Sequence, residues 1–106
     1  AVAAGPDCKR LNVNGSQIVP GATLTVTVNG TTVATFDENA YGDLEPFMQP
    51  GPNNIGLSFA SAGSRGTEAE LRCLPPSSHS SRTVVLRLKP VPTRLSAQTV
   101  VILSGQ

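Results

Sequence analysis

Apolar and polar residues alternate along several stretches of this chain, and the alternation predicts strands. The clearest case follows Pro20-Gly21, where Leu24, Val26 and Val28 interleave with Thr23, Thr25 and Thr27. That period of two is the signature of a half-buried strand. Asn29-Gly30 then offers two residues that tolerate positive φ, the demand of a type I′ hairpin turn. The return strand is expected over residues 31–36, with Val28 opposite Thr31 and Val26 opposite Val33. Residues 8–13 predict a short first strand, closed by a turn at Asn14-Gly15-Ser16. A strand over 54–59 puts Ile55, Leu57 and Phe59 on one face.

Two later segments predict each other. Ala69, Leu71 and Cys73 point one way, and Glu68, Glu70 and Arg72 the other. In 83–89, Val84, Leu86 and Leu88 oppose Val85, Arg87 and Lys89. Antiparallel pairing across the loop 75–82 sets Leu74 against Thr83, Cys73 against Val84 and Leu71 against Leu86. The same register sets Glu70 against Arg87 and Glu68 against Lys89. One register thus serves both faces. A small-residue loop covers 61–66, Pro90 and Pro92 mark an extended connector, and 99–103 is a final apolar strand. Residues 37–52 show no sustained period and read as a long connection or a broken helical turn.

These seven or so short strands predict an all-β chain, a single antiparallel β-sandwich domain over 1–106, jelly-roll or immunoglobulin-like. Composition agrees: Gly (10) and Pro (9) are plentiful among 106 residues, while aromatics are 4%. A helical bundle is excluded by this, and no apolar run reaches the ~18 residues of a membrane helix. The net charge of +1 is too small to imply a nucleic-acid partner. Residues 1–60 sum to −3 and residues 61–106 to +4, which a compact domain intermixes.

Cys8 and Cys73 are too far apart in sequence for a CxxC motif, leaving two free thiols or one disulfide. Ala1-Val2-Ala3-Ala4-Gly5 looks like the small-residue tail of a signal-peptidase site. Together these favour a Cys8–Cys73 bridge in a secreted, periplasmic or cell-surface protein.

Catalytic chemistry finds little purchase. His79 is the one histidine and sits among Ser77, Ser78, Ser80 and Ser81. GxSxG, HExxH, P-loop and GxGxxG patterns are absent, so no enzyme, catalytic residue or cofactor is assigned. The densest polar cluster is the loop 37–45, which holds the only tyrosine and four of the seven acids. Asp37, Asn39 and Gly42 begin like an EF-hand loop, but Met48 stands where the last ligand belongs, so no metal is assigned. The readings left for this loop are a set of structural turns, with Asp43 capping a short helix, a looser calcium site on its oxygens, or a small-ligand site. The site would use Asp37, Asn39 and Asp43 as hydrogen-bonding groups and Tyr41 as a flat face. Asn14-Gly15-Ser16 and Asn29-Gly30-Thr31 also fit the N-glycosylation pattern, and both read as tight turns.

The Asn29-Gly30 hairpin, the acid Asp43 before Leu44-Glu45-Pro46-Phe47, and the Pro50-Gly51-Pro52-Asn53 turn into Ile55 resemble a stretch of galactose-binding-like jelly-roll domains. The resemblance implies that Asp43 caps a helical turn and Phe47 plugs it onto the core. It also implies a non-catalytic accessory module, often appended to glycosidases. The function expected is an extracytoplasmic binding module with a glycan as the favoured ligand. The alternative is a protein-interaction or structural domain of a surface or envelope assembly, using edge strands and the Arg87/Lys89 row. Neither carries nucleic-acid binding or membrane insertion, and the oligomeric state stays open.

Overall fold

A computed structural model describes residues 5–104, so the export-like Ala1–Ala4 lies outside the described residues. The described residues are all-β, with two sheets and one 3-10 turn. The strands are β1 (Asp7–Cys8), β2 (Arg10–Ser16), β3 (Leu24–Val28), β4 (Thr31–Phe36), β5 (Ala40–Asp43), β6 (Gly51–Phe59), β7 (Glu68–Leu74), β8 (Thr83–Leu88) and β9 (Ser96–Leu103), with the 3-10 turn at Glu45–Phe47. One sheet runs β1-β9-β6-β3-β4 and the other β5-β2-β7-β8. Every pairing is antiparallel except β1 with β9, which joins the first strand to the last in parallel.

The two sheets share one core. Leu24, Val26, Val28, Ile55, Leu57, Phe59 and Val101 come from the five-stranded sheet. Leu11, Val13, Ala69, Leu71, Cys73 and Leu88 come from the four-stranded one. These are the alternate positions of their strands, as a pleated ribbon with one dry face requires. Cys8 and Cys73 are bonded, their Cα atoms 5.4 Å apart, and the bridge ties β1 in one sheet to β7 in the other.

The β3–β4 turn has Asn29 at φ 53° and Gly30 at φ 85°, the backbone a type I′ turn demands. Val28 faces Thr31 as expected, but a bulge shifts the register, so Val26 faces Ala34 and not Val33. A second bulge lies in β7–β8. Glu70 faces Arg87 and Leu71 faces Leu86, and beyond them Arg72 faces Val84 and Cys73 faces Thr83. The symmetric closure of Leu74 on Thr83 therefore fails by one residue. Each bulge leaves one residue unpaired and raises the local twist.

Three expectations give way. Asn14-Gly15-Ser16 is no turn, because it continues β2 between β5 and β7. A Cβ at Gly15 would lie 2.6 Å from Ile18 Cδ1 and 3.3 Å from Leu24 Cδ2, so glycine here admits the neighbouring core. Asp43 caps nothing, since Leu44 is the N-cap of the 3-10 turn and no side chain bonds to it there. Phe47 is 51% exposed, and Leu44, at 1%, is the residue that plugs the turn onto the core. Residues 37–52 also hold a strand, β5, which its Gly42 and Asp43 conceal.

Candidate functional site

Loop 37–45 divides in the structure. Asp37 follows β4 and accepts a hydrogen bond from Thr23 Oγ1 at 2.7 Å. Asn39 accepts from the backbone N–H of Gln17 at 2.9 Å. Gln17 is a left-handed residue at φ 56°, so Asn39 secures the sharp exit of the chain from β2. Tyr41 and Asp43 stand two apart on β5 and share its solvent face, while Ala40, on the alternate face, packs in the core. The structure thus brings Tyr41 and Asp43 together and gives Asp37 and Asn39 to turns.

The outer face of the four-stranded sheet is polar across its width. Leu11, Val13 and Gly15 of β2 turn inward, leaving Asn12, Asn14 and Ser16 outward. One row of cross-strand neighbours reads Tyr41, Asn14, Glu70, Arg87. The next reads Asp43, Asn12, Arg72, Val84. Strands ~4.8 Å apart place Tyr41 about 10 Å from Glu70. Sequence reading had already turned Glu70 and Arg72 outward. What it lacked was that β2 lies between β5 and β7, which brings Asn12 and Asn14 into the same patch.

Two polar side chains on this outer face are nonetheless buried, each under a cation. Asn12 Oδ1 accepts from Arg82 at 2.7 Å. Glu70 is clamped by two guanidiniums: Arg72 bonds Oε1, and Arg87 Nε and a terminal nitrogen bond Oε2 at 3.2 and 3.0 Å. Burial alone would raise the Glu70 pKa, but the hydrogen bonds and charges of Arg72 and Arg87 outweigh it and hold the carboxyl below its ordinary value. The expected Glu68–Lys89 pair forms at a long 4.0 Å. Arg87 and Lys89 are therefore each ion-paired, and because Arg72 and Arg87 share the one Glu70 carboxylate the cluster keeps an excess of positive charge.

This face carries a trough of about 250 Å³, lined by Asn14, Gly15, Ser16, Ala40, Glu68, Glu70 and Arg72, with Tyr41 outside the lining. Tyr41 is 65% exposed, the most exposed of the large apolar side chains. A larger trough of about 350 Å³ lies on the outer face of the other sheet, among Thr25, Thr27, Gly56, Ser58, Ser96 and Gln98. It has neither ring nor charge in its lining to orient a ligand. No group of three or more His, Cys, Asp and Glu residues among the described residues is arranged to hold a metal ion. His79 is exposed in the loop 75–82.

No family model matches this chain, and neither a curated protein nor a solved structure matches it.

Proposed function

We propose that this chain is a non-catalytic, extracytoplasmic binding module that takes a glycan on the outer face of its four-stranded sheet. The observation that carries the reading is Tyr41, a solvent-facing ring on β5 with Asn14 directly across the strand pair and Asp43 beside it. A pyranose has one flat C–H face and a rim of hydroxyls. An aromatic ring meets the first, and carboxamide and carboxylate groups meet the second. A rigid sheet fixes both without the entropy cost of ordering a loop.

The wider setting supports the reading. Two sheets around one core, the Asn29-Gly30 hairpin and the turn into β6 favour a sandwich of jelly-roll, galactose-binding-like type, with an immunoglobulin-like one as the rival. The Cys8–Cys73 bridge favours a secreted, periplasmic or surface location, because such bonds persist in oxidising compartments. Among the described residues, no helix is long and apolar enough to cross a membrane.

A second reading, a protein-interaction domain, is favoured by one observation. The edge strand β4 is Thr-Thr-Val-Ala-Thr-Phe, without charge or proline, and its outer edge is free to accept a partner strand. Tyr41→Ala separates the two. Under the glycan reading it weakens binding to an immobilised oligosaccharide about tenfold or more, roughly 1.4 kcal/mol, with the melting temperature unchanged. Sugar binding indifferent to this change refutes the Tyr41 site. Capture of an envelope protein, abolished by Thr35→Pro and not by Tyr41→Ala, favours strand addition.

A further inference from the structure

Three arginines gather on the outer face where β7 lies between β2 and β8. Arg72 and Arg87 both hold Glu70, one on each carboxylate oxygen. Arg82 reaches from the end of the loop after β7 to Asn12, the residue directly across from Arg72. Asn12 and Glu70 are buried, while Arg72, Arg82 and Arg87 are exposed. The two buried acceptors are thus fixed supports that hold the guanidiniums above them in place. A guanidinium carries five N–H donors. The bonds to Glu70 and Asn12 engage at most two nitrogens of each arginine, so donors remain on every exposed group.

The charge of this cluster is not balanced. Three guanidiniums share one carboxylate, and like charges brought close repel until an anion joins them. The charged groups around the cluster do not cancel the excess. Glu68 faces Lys89, Glu45 pairs with Arg10 at 3.8 Å, and Asp43 stands beyond Asn12, about 10 Å from Arg72 by strand spacing. The outward residues of β7 run Glu68, Glu70, Arg72, so the positive end lies toward Arg82 and away from Glu68. Arg72 also lines the trough, which joins the cluster to the rest of the face.

We propose that Arg72, Arg82 and Arg87 form an anion-binding cluster that takes the carboxylate or sulfate group of an acidic glycan. This deepens the glycan reading and rests on it: Tyr41 meets one sugar ring, and the arginines hold the acidic group of a ring farther along the chain. Tyr41 and the cluster lie about 10 Å apart across β2, so the ligand is an oligosaccharide and not a single sugar. A planar fork of N–H donors matches the oxygens of a carboxylate or sulfate, which a lysine would meet only as a point charge.

Isothermal titration of the intact chain tests this. The probes are tetragalacturonate for the carboxylate, a chondroitin sulfate tetrasaccharide for the sulfate, cellotetraose as the neutral sugar, and a short oligothymidylate as an anion without sugar-ring recognition. An acidic tetrasaccharide should bind about tenfold or more tightly than cellotetraose at 20 mM salt, and lose about fivefold or more of its affinity by 200 mM. Arg72→Gln and Arg82→Gln should each weaken the acidic sugar about tenfold and leave any cellotetraose binding within about twofold. Should either variant not fold, Arg72→Lys and Arg82→Lys keep the charge but not the fork, and should weaken the acidic sugar about threefold or more. Equal affinity for acidic and neutral sugars overturns the cluster and leaves the Tyr41 reading standing. Acidic-sugar binding indifferent to the arginine variants overturns it too. Oligothymidylate bound as tightly as the acidic sugars overturns the glycan as the ligand of the cluster. Acidic-sugar binding lost in the arginine variants but kept in Tyr41→Ala refutes the Tyr41 site and leaves the cluster. Failure of every probe overturns both.

Discussion

At Glu70 a carboxylate lies beneath two guanidinium groups, and the arrangement makes stability depend on pH in a definite direction. Desolvation works against its charge, and Arg72 and Arg87 more than restore it, so the folded pKa lies below the ordinary 4.5. A group with a depressed folded pKa adds stability that is fully present above the unfolded value and lost as pH falls through the folded one. The melting temperature should therefore hold from pH 7 to about 5 and fall below about 4.5. In Glu70→Gln the drop below pH 4.5 should be smaller, and the variant should melt lower than the parent at pH 7, where two arginines lose their partner. Differential scanning calorimetry of both proteins between pH 3 and 7 checks this. Parallel curves for the two would show that Glu70 contributes nothing specific. The Glu70–Arg87 pairing was legible in the sequence because alternation and a short loop fix which residues face each other. The second clamp, Arg72, was not, because it is a neighbour on the same strand face, two residues away, whose reach depends on its rotamer.

At the scale of elements, the turn region around Asn53 shows how irregular backbone is held. Asn53 lies in β6 with 1% exposure. Its Oδ1 accepts from the Gln49 backbone and from Asn29 Nδ2, and its Nδ2 donates to the carbonyls of Gln49 and Gly51. The Asn29 side chain in turn accepts from the backbone N–H of Asn54. One side chain thus locks the β3–β4 hairpin to the segment that follows the 3-10 turn. Asn53→Ala removes all four bonds and should cost about 2–3 kcal/mol, since buried groups left unpaired carry the desolvation cost. Urea unfolding measures this, and a loss under 0.5 kcal/mol would mean that water replaces the amide. The hairpin was readable because Asn-Gly dictates its backbone locally. Strand β5 was not, because its four residues are mostly polar or small and become a strand only when β2 offers an edge. Glu45 helps by accepting the Leu11 backbone N–H where β5 has ended.

The whole molecule is closed by non-local contacts. β1 meets β9 at the far end of the chain, and the Cys8–Cys73 bridge joins the sheets across a sequence separation of 65. A loop of that length predicts about 4 kcal/mol of stabilisation through restriction of the unfolded chain. The double variant Cys8→Ala/Cys73→Ala should lose about that much in urea unfolding, and the parent with excess reductant should approach it. Equal midpoints for oxidised parent and double variant would show that the bridge adds no stability. The bridge could be inferred from two cysteines and their apolar neighbours. Which sheets it joins could not, because strand order across a core is set by packing and not by sequence adjacency.

The sequence by itself determined the all-β class, the Asn29-Gly30 turn, the inward faces of β3, β6 and β7, and the Glu70–Arg87 register, each a consequence of period-two patterning or local φ preference. It also singled out Tyr41 as the ring to watch. Only the tertiary structure decided the two bulges, the burial of Leu44 in place of Phe47, and the central place of β2 in its sheet. That last decision changes the site most. Asn14 reads as a turn residue when seen with Gly15 alone. Packed between β5 and β7, with Ile18 over a glycine that has no side chain, it becomes a strand residue facing out beside Tyr41. Long-range strand pairing supplies the free energy that overrides the local turn preference of Asn-Gly.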